Sequence, residues 1–484
     1  MTTPTKHHLV IGDCTKATKI LDFPAIDLLV TSPPYFNAPF DYNELFHNYE
    51  TFLDMINNFG ELYFKVLTPG GIVGLNIDDM LIEGIKYPII SDIIKIFSTL
   101  GYHLKGKIIW KKPEGYIRIS RRSGVLLQNP FPMYYYPDNL LEVILIFQKP
   151  PYRNLPSNKT VHSEDIWEIT NVLPLKGRLE TDIAAFPDEL PKKLINMFTT
   201  EGSWICDPFL GSGTTMKVAR ELRRHSIGVE ILENLLPIIR RKSGFTSENL
   251  ASYFDSDQLI IDNLQIDTEH KKDTIKRVSN HSLLPQALKE HISTKCKFKH
   301  HLLLLDCRNI SKDVFDESLS ELLENLYPGR IMLVLFESLN NSSENLALNQ
   351  ITDHIMRHGL RLRDKITVQH QPEGNWEVTS RFKSKIVFYH SYYEVFIFQK
   401  GKFNYKSKSK MEKQDCLINK DRFQKEKWYL TLWDFRNQLR KKCDSIVISR
   451  LLELFLFNDE IVCTNIKQIS CSNRRFIIEY ITLI

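Results

Sequence analysis

Short apolar runs alternate with amphipathic stretches along the first half of the chain. Ala25–Val30 is mostly apolar, as a buried strand is, and it stops at Thr31–Pro34. Tyr49–Val66 has apolar residues at helical spacing and ends before Leu67–Gly71, where a proline and two glycines stop a helix. The same pattern predicts helices over Ile89–Leu100, Leu190–Thr199 and Thr214–Arg224, and strands over Ile72–Ile77, Lys107–Trp110, Glu142–Gln148, Trp204–Cys206 and Ser226–Val229. This alternation predicts an α/β fold whose mostly parallel sheet is covered on both faces.

The second half echoes the first half in the same order. Six pairs of segments resemble each other: His7–Cys14 and His300–Cys307, Leu67–Gly70 and Leu326–Gly329, Gly101–Gly115 and Gly359–Gly374, Glu142–Lys149 and Glu394–Lys400, Ile166–Glu168 and Leu432–Asp434, and Arg223–Ile231 and Asn473–Ile481. The echo has no counterpart of Thr31–Tyr35, and Ile461–Thr464 stands where Ile205–Pro208 and a glycine-rich loop should be. The order predicts a degenerate second copy of the first fold. The alternative is an unrelated domain with a coincidental pattern.

A polar, charged stretch separates the two halves. We therefore predict a first domain over residues 1–245, a linker over 246–290 and the degenerate copy over 291–484. A length of 484 residues fits two to three domains.

The composition indicates a soluble protein. Hydrophobic residues make up 43% and charged residues 25% of the chain, and no apolar run approaches the roughly 18 residues that span a bilayer. Met1–Lys6 has no apolar stretch of the secretory kind, so we expect a cytoplasmic protein without a membrane partner. Eight cysteines without a CxxC pair argue against a metal site or a disulfide scaffold. The net charge of +5 permits a polyanionic partner without requiring one.

A glycine-rich loop lies between a predicted strand and a predicted helix at Asp207–Thr215 (DPFLGSGTT). Its glycines allow a tight turn and a close approach of a ligand to the backbone beside a helix N-terminus. Glu230 ends the next strand, where an acidic residue accepts hydrogen bonds from ribose hydroxyls. The loop has neither the GK[ST] of a Walker loop nor GxGxxG spacing. Taken alone, it predicts either a site for a nucleotide-like ligand or a structural turn.

A second motif, Thr31–Tyr35 (TSPPY), follows a predicted strand. Its prolines fix the backbone and lack N–H groups, so nearby carbonyl oxygens stay free to accept hydrogen bonds. A hydroxyl, a rigid carbonyl and an aromatic ring would together hold a planar ring that bears an amino group. The alternative is a rigid surface loop.

Together, the two motifs resemble those of amino-methylating DNA methyltransferases. TSPPY resembles their catalytic motif and DPFLGSGTT their cofactor motif, and this order resembles their beta group. The resemblance covers residues 7–240 and includes Gly12-Asp13, Trp110, Glu142 and Ala185–Pro187. It implies a circularly permuted, Rossmann-like S-adenosylmethionine-dependent fold. Asp182 is a departure, because the family often has histidine before its Ala-Phe-Pro segment.

The resemblance also implies roles for individual residues. Ser32 and the Pro33 carbonyl would accept hydrogen bonds from the target amine, Pro34 would keep this turn rigid and Tyr35 would stack on the base. Asp207 and the glycine loop would hold the amino-acid end of S-adenosyl-L-methionine, and Glu230 its ribose. The residues predicted to bind the cofactor are Asp13, Phe186, Asp207, Pro208, Phe209, Gly211, Gly213, Thr214 and Glu230.

The expected substrate is double-stranded DNA with the target base flipped out of the helix. Within the family, serine at the first variable motif position points to cytosine N4, with adenine N6 as the alternative. The resemblance also implies a restriction–modification system, with a cognate endonuclease as a partner. The rival predictions are an enzyme that acts on RNA or protein, and a relic that binds DNA without modifying it.

Two further features concern DNA. Arg118, Arg121 and Arg122 lie in one short stretch and are predicted to bind phosphate, with a solvated loop as the alternative. Asn129–Tyr136 is aromatic and proline-rich, and a packed edge fits it better than a cover for the flipped base. For the second half we hypothesise a catalytically dead partner fused in cis, which replaces a second subunit or takes part in target recognition.

Overall fold

A computed structural model gives the architecture of the chain. It describes residues 4–17, 20, 22–23, 25–37, 45–114, 122–151, 159–170, 186–245, 257–263, 299–308, 316–337, 351–379, 384–467 and 469–480.

A nine-stranded sheet forms the centre of the first half. Its strands are β1 (Lys6–Ile11), β2 (Ile26–Thr31), β3 (Leu67–Ile77), β6 (His103–Lys111), β7 (Leu141–Gln148), β9 (Ile166–Glu168), β10 (Trp204–Asp207), β11 (His225–Glu230) and β12 (Gln258–Asn263). Their order is β12-β1-β11-β10-β2-β3-β7-β6-β9, and β7 alone runs antiparallel to its neighbours within this sheet. Because the other strands are parallel, their carboxyl ends meet at one edge.

Helices cover both faces of this sheet, as the alternation predicts. The helices in this half of the sequence are α1 (Tyr49–Val66), α2 (Ile89–Thr99), α3 (Gly124–Gln128), α4 (Glu189–Phe198), α5 (Thr214–Glu221) and α6 (Leu236–Lys242), of which α3 packs in the second half instead. Side chains of α1 and α2 pack with Leu29 on one face, whereas those of α4 and α5 pack with Leu28 and Val30 on the other. This alternation along β2 is the period-two pattern of a strand buried on both sides. The α/β, Rossmann-like fold is thus confirmed.

A seven-stranded sheet forms the second half. Its strands are β13 (His300–Asp306), β14 (Leu326–Glu337), β15 (Leu360–Gln369), β18 (Tyr392–Lys400), β19 (Leu432–Asp434), β20 (Glu460–Thr464) and β21 (Phe476–Tyr480). Its helices include α7 (Asp316–Asn325), α8 (Lys410–Gln414), α9 (Lys420–Lys425) and α10 (Arg440–Phe455). The remaining strands are β4 (Met80–Ile82) and β5 (Ile85–Tyr87), which form a hairpin, and β8 (Lys159–Glu164), β16 (Asn375–Thr379) and β17 (Ser384–Tyr389), which form a small sheet.

The second sheet has the strand order β19-β15-β18-β14-β13-β20-β21. Seven strands of the first sheet have the corresponding order, β9-β6-β7-β3-β2-β10-β11. The two sheets also share irregularities. The ladder of β6 with β7 shifts between Leu104 and Gly106, and that of β15 with β18 shifts at the equivalent place, between Leu362 and Asp364. Five of the six segment pairs seen in the sequence fall on equivalent strands.

The sixth pair, His7–Cys14 with His300–Cys307, is wrong. β13 pairs with β14 and β20, so it takes the place of β2 rather than that of β1. Both candidate strands are apolar and parallel, and pattern alone does not distinguish them. The predicted linker also needs correction, because β12 pairs with β1 along its whole length. The first sheet therefore extends at least to Asn263, beyond the predicted boundary at residue 245.

The two halves exchange two connections, the one from β6 to β7 in the first half and the one from β15 to β18 in the second. In the first half, the connection from β6 to β7 places Leu126, Met133 and Tyr135 in the core of the second half. In return, the connection from β15 to β18 places Trp376 and Phe388 in the core of the first half. Each half therefore completes the core of the other.

Polar contacts between the halves also occur at equivalent positions. Ser391 N donates to Asp165 Oδ2 at 3.1 Å, and at the equivalent position Leu140 N donates to Thr431 Oγ1 at 3.4 Å. Buried ions also join the halves. Lys107 pairs with Glu394, which Lys365 contacts at 3.3 Å.

Candidate functional site

The two sequence motifs lie side by side at the carboxyl edge of the first sheet. β2, which leads into Thr31–Tyr35, is the direct parallel neighbour of β10, which leads into the glycine loop. Asp207 joins them, because its carboxylate accepts hydrogen bonds from Thr31 Oγ1 and Thr215 Oγ1, both at 2.6 Å. Phe209 N also donates to it at 3.1 Å. Burial raises the pKa of Asp207 to about 6, against the opposing effect of the two threonine hydroxyls.

The glycine loop has the conformation that its sequence predicts. Gly211 and Gly213 have φ angles of 54° and 91°, in the left-handed region where a Cβ is strained. Gly213 caps α5, and a Cβ there would lie 3.3 Å from Ile239 Cγ2. Glu230, at the end of β11, accepts hydrogen bonds from Gly211 N at 2.8 Å and Leu232 N at 2.9 Å. The loop and the acidic residue predicted for the ribose are thus in contact, and burial raises the pKa of Glu230.

The other predicted pocket residues surround this loop. Asp13 follows β1, which pairs with β11 so that Ile11 lies opposite Glu230. Its Oδ1 accepts hydrogen bonds from the N–H and the hydroxyl of Thr15, at 2.9 and 2.8 Å. Phe209 packs edge-on against Phe59. The remaining predicted residues also lie close to α4 and α5: Phe186 against the core beneath these helices, Pro208 buried behind the loop, and Thr214 at the first position of α5.

A buried polar cluster supports the catalytic motif. Tyr35 donates from its hydroxyl to Glu142 Oε2 at 2.7 Å, and Asn76 Nδ2 donates to the same oxygen at 2.5 Å and to Tyr35 Oη at 3.0 Å. Lys112 forms an ion pair with Glu142. Burial works against the charged form of Glu142, but the Lys112 ammonium and the hydrogen bonds leave its pKa below the ordinary value. Burial and the neighbouring Glu142 raise the pKa of Tyr35.

Ser32 lies beside this cluster and is partly buried, and its Oγ is 3.5 Å from Asn76 Nδ2. Its side chain also hydrogen-bonds Tyr35, which works against the rise in the pKa of the tyrosine. A hydroxyl has one donor and two acceptor sites, so the serine oxygen can accept a further hydrogen bond from a ligand. The catalytic motif thus joins its serine and its tyrosine to one buried polar cluster.

Sequence reasoning missed Asn76 and Lys112 and gave Glu142 no role. A usable signal existed, because Asn76 is a buried polar residue within the apolar run of β3. A buried polar side chain needs hydrogen-bond partners, and those of Asn76 are Tyr35 and Glu142 of the catalytic cluster. Lys112 follows the strand predicted to end at Trp110, so its position at the same edge could also have been predicted.

The predicted phosphate ligands have different outcomes. Arg118 and Arg121 lie outside the described residues. Arg122 is committed to an ion pair, because its guanidinium contacts both oxygens of Asp364 in the second half, at 2.8 and 3.0 Å. The prediction that Arg122 binds phosphate is therefore replaced by a structural role between the halves.

The equivalent edge of the second half lacks the residues of both motifs. Register places Asp306 where Ser32 stands and Thr464 where Asp207 stands. Arg308 Nη1 donates to Asp444 at 2.8 Å, Arg308 Nη2 donates to Asp306 at 2.6 Å, and its guanidinium lies over Tyr393, which occupies the position of Glu142. A buried arginine thus fills the place where the first half has its catalytic motif.

None of the helices in the described residues is long and apolar enough to cross a membrane. The same part of the chain contains no group of three or more His, Cys, Asp or Glu side chains arranged to hold a metal ion.

Comparisons with known proteins show that the sequence is similar to DNA methylases. Residues 26–241 match the DNA methylase family. The type II methyltransferase M.MjaI of Methanocaldococcus jannaschii is 34% identical over 296 residues, which cover 52% of this chain and 95% of the relative. M.MthZI of Methanothermobacter thermautotrophicus is 28% identical over 277 residues, which cover 49% and 76%. The PvuII DNA methyltransferase (cytosine-N4-specific) matches with a TM-score of 0.41 and 19% identity, over 54% of this chain and 96% of that structure.

Proposed function

The chain belongs to the DNA methylase family, and on this premise we propose that it transfers a methyl group from S-adenosyl-L-methionine to the exocyclic N4 of cytosine in duplex DNA. The observation that carries the proposal is the double hydrogen bond of Asp207, which fixes the catalytic motif and the glycine loop at one sheet edge. A methyl donor and an amine acceptor must meet within about 3–3.5 Å, so the two motifs need one shared cavity.

The glycine loop suits the cofactor. Its positive φ angles leave backbone N–H groups beside the start of α5, and Glu230 offers carboxylate oxygens at the next strand. Gly211–Thr214 with Asp207 and Phe186 would hold the amino-acid end, and Glu230 with Asp13 the ribose and its surroundings. When bound, the cofactor supplies a methyl group on a positively charged sulfur, whose bond to carbon breaks as carbon bonds to the amine nitrogen.

The catalytic motif orients the amine. Ser32 Oγ and the Pro33 carbonyl oxygen accept hydrogen bonds from the two N–H groups of the target amine. This arrangement leaves the lone pair of the amine nitrogen aimed at the methyl carbon. Pro34 keeps this turn rigid, and the Tyr35 ring stacks on the flipped base while its hydroxyl stays bonded to Glu142. After attack the nitrogen loses one proton to water. The Cys14 and Cys206 thiols take no part, because burial raises their pKa well above the ordinary value and no thiolate is needed.

Cytosine N4 is preferred over adenine N6 on the residue at position 32. Serine stands at the first variable position of TSPPY, as the resemblance associates with cytosine. Both amines need the same two acceptors, so adenine N6 is the second candidate. We place the enzyme in a restriction–modification system, with a cognate endonuclease as its partner, because its relatives are type II methyltransferases.

The test combines three measurements on the full chain. Duplex DNA from an expressing host is sequenced for modified bases, which identifies the base and its context. Labelled methyl transfer to DNA is then measured for Ser32→Ala and Tyr35→Ala, and cofactor binding by calorimetry. We expect a loss of transfer of at least 100-fold with cofactor affinity within about twofold. Full transfer in both variants, or transfer only to RNA or protein, would refute the proposal.

A further inference from the structure

The positive charge of the chain is concentrated in its second half. Residues 291–484 contain 31 lysines and arginines against 23 acidic residues, whereas residues 1–290 contain 32 against 35. The half that carries the methylation motifs therefore has a slight negative charge. A polyanionic substrate then needs its main electrostatic attraction from the other half.

Much of this charge lies in one connection, residues 401–431 between β18 and β19, which we call the lysine-rich connection. It holds nine lysines and arginines against four acidic residues. The equivalent connection in the first half, residues 149–165, is shorter, so the lysine-rich connection extends the common fold. Its elements are the short helices α8 and α9 and the turns around them.

Several of its lysines are available to a ligand. Lys402, Lys406, Lys410, Lys420 and Lys425 are exposed. Within the described part of the chain, no carboxylate pairs with any of these five. By contrast, Lys408, Arg422 and Lys427 pair with Glu460, Glu453 and Glu114, respectively. The connection thus contains two groups of cationic side chains. One group forms ion pairs within the protein, and the other group is exposed to solvent.

The connection is firmly held. Cys416, Ile418 and Phe423 are buried in the core of the second half. Arg474 Nη2 donates to the Cys416 carbonyl at 2.9 Å, and Asn404 and Ser409 cap its short helical turns. Exposed lysines on a fixed backbone lose less conformational entropy when they bind a rigid, regularly charged ligand.

The connection contacts the segment that the first half inserts into the second half. Its residues Ile418 N and Tyr405 Oη donate to Pro130 O at 2.8 Å and Met133 O at 3.1 Å. Pro130 and Met133 belong to the segment that leaves the first sheet after β6 and returns to β7. This segment begins at the same edge as the catalytic motif, because β6 runs parallel to β2 and β3.

A second tie lies closer to that edge. Lys427 forms an ion pair with Glu114 at 2.6 Å, and Glu114 is the third residue after the end of β6. The end of the lysine-rich connection therefore meets the first half at the sheet edge that carries the catalytic motif.

We propose that the lysine-rich connection is an anchor for the phosphate backbone of duplex DNA, which the degenerate half supplies to the catalytic half. The inference rests on the proposed function for the identity of the polyanion. The anchor binds phosphate rather than base edges, so it adds affinity without sequence preference. It also gives the second half a role after the loss of its own catalytic motifs.

The test uses the salt dependence of DNA binding by the full chain. A variant with Lys410→Gln, Lys420→Gln and Lys425→Gln is compared with a control that carries Lys6→Gln, Lys65→Gln and Lys441→Gln. The control lysines are also exposed, and they lie away from the connection: Lys6 and Lys65 at the amino edge of the first sheet, and Lys441 at the start of α10, after the carboxyl end of β19. Both variants lose the same charge. Binding to a 30-base-pair duplex is followed by fluorescence anisotropy from about 50 to 300 mM salt.

Each phosphate contact contributes about 0.9 to the slope of log affinity against log salt concentration. We expect the slope of the first variant to fall by about 2 or more, and the slope of the control to match the wild type. The KM for DNA should rise, whereas kcat at saturating DNA and the affinity for cofactor should stay unchanged. Replacement of the same three residues by arginine should restore the slope.

An unchanged slope in the first variant, or an equal fall in the control, would overturn the anchor. Should the triple variant fail to fold, three single variants replace it, each with an expected loss of about 0.9. Labelled methyl transfer by the wild type separates this test from that of the proposed function. If the wild type does not methylate DNA but the salt slope still falls in the triple variant, the phosphate anchor stands and the proposed function is refuted.

Discussion

A methyl group added at Gly106 should destabilise the junction between the halves. Gly106 lies in β6, and a Cβ there would lie 2.6 Å from two ring atoms of Trp376, which the second half inserts into the first. Carbon atoms pack at about 3.5–4.0 Å, so the ring would have to withdraw by about 1 Å. Trp376 is only 3% exposed, and it stacks on Phe388 at 3.9 Å between ring centroids, so it has no free direction of movement.

We therefore expect Gly106→Ala to lower the free energy of unfolding by about 2–3 kcal/mol, the upper range for overpacking. The assay is urea unfolding of the full chain, followed by circular dichroism. Gly124→Ala is the matched control, because a Cβ at Gly124 meets no atom within 4 Å. Trp376→Phe should relieve the clash, so Gly106→Ala should cost at least 1 kcal/mol less in that background. Equal costs in both backgrounds would refute the contact as the cause.

Three further predictions concern buried charges. Lys112→Met leaves Glu142 without its cation and should lower the rate of single-turnover methyl transfer at least tenfold. The affinity for cofactor should stay within about twofold. An unchanged rate of transfer would contradict the supporting role of the ion pair. Burial raises the pKa of Asp165 to about 7, above its unfolded value of 3.8. The stability from its protonation is therefore complete below pH 3.8 and is lost as pH rises through 7. Relative to Asp165→Asn, the wild type should lose about 2 kcal/mol of unfolding free energy between pH 5.5 and 8, and a pH-independent difference would exclude this titration. Arg122→Met should lower the unfolding free energy by about 1–3 kcal/mol, because Asp364 loses a partner, and should leave the salt slope of DNA binding unchanged; a flatter slope would restore Arg122 as a phosphate ligand.

Local patterns predicted most of the first sheet. Apolar runs, helix stops and the glycine turn are properties of neighbouring residues, so α1, β2 and the loop before α5 follow from short stretches. The pairing of the two motifs at one edge followed from a resemblance, and the Thr31–Asp207 contact agrees with it.

The errors arose where distant residues decide the outcome. A strand such as β13 has the same pattern whichever neighbour it pairs with, and its partners, β14 and β20, lie far from it in sequence. Likewise, Gln258–Asn263 was assigned to a linker because of its polar surroundings, although β1 offers it a free edge. The role of Arg122 depended on Asp364 in the other half, which no local pattern indicates.

The exchanged connections constrain how this gene can change. Since Tyr135 fills one core and Trp376 the other, neither half can be deleted without opening a hole in its neighbour. Substitutions at the carboxyl edge of the second half should therefore be tolerated, whereas substitutions that unfold this half should also inactivate the first half. Selection for the intact enzyme therefore preserves the copy as a scaffold, and natural variants should keep its interior while its former motif positions drift.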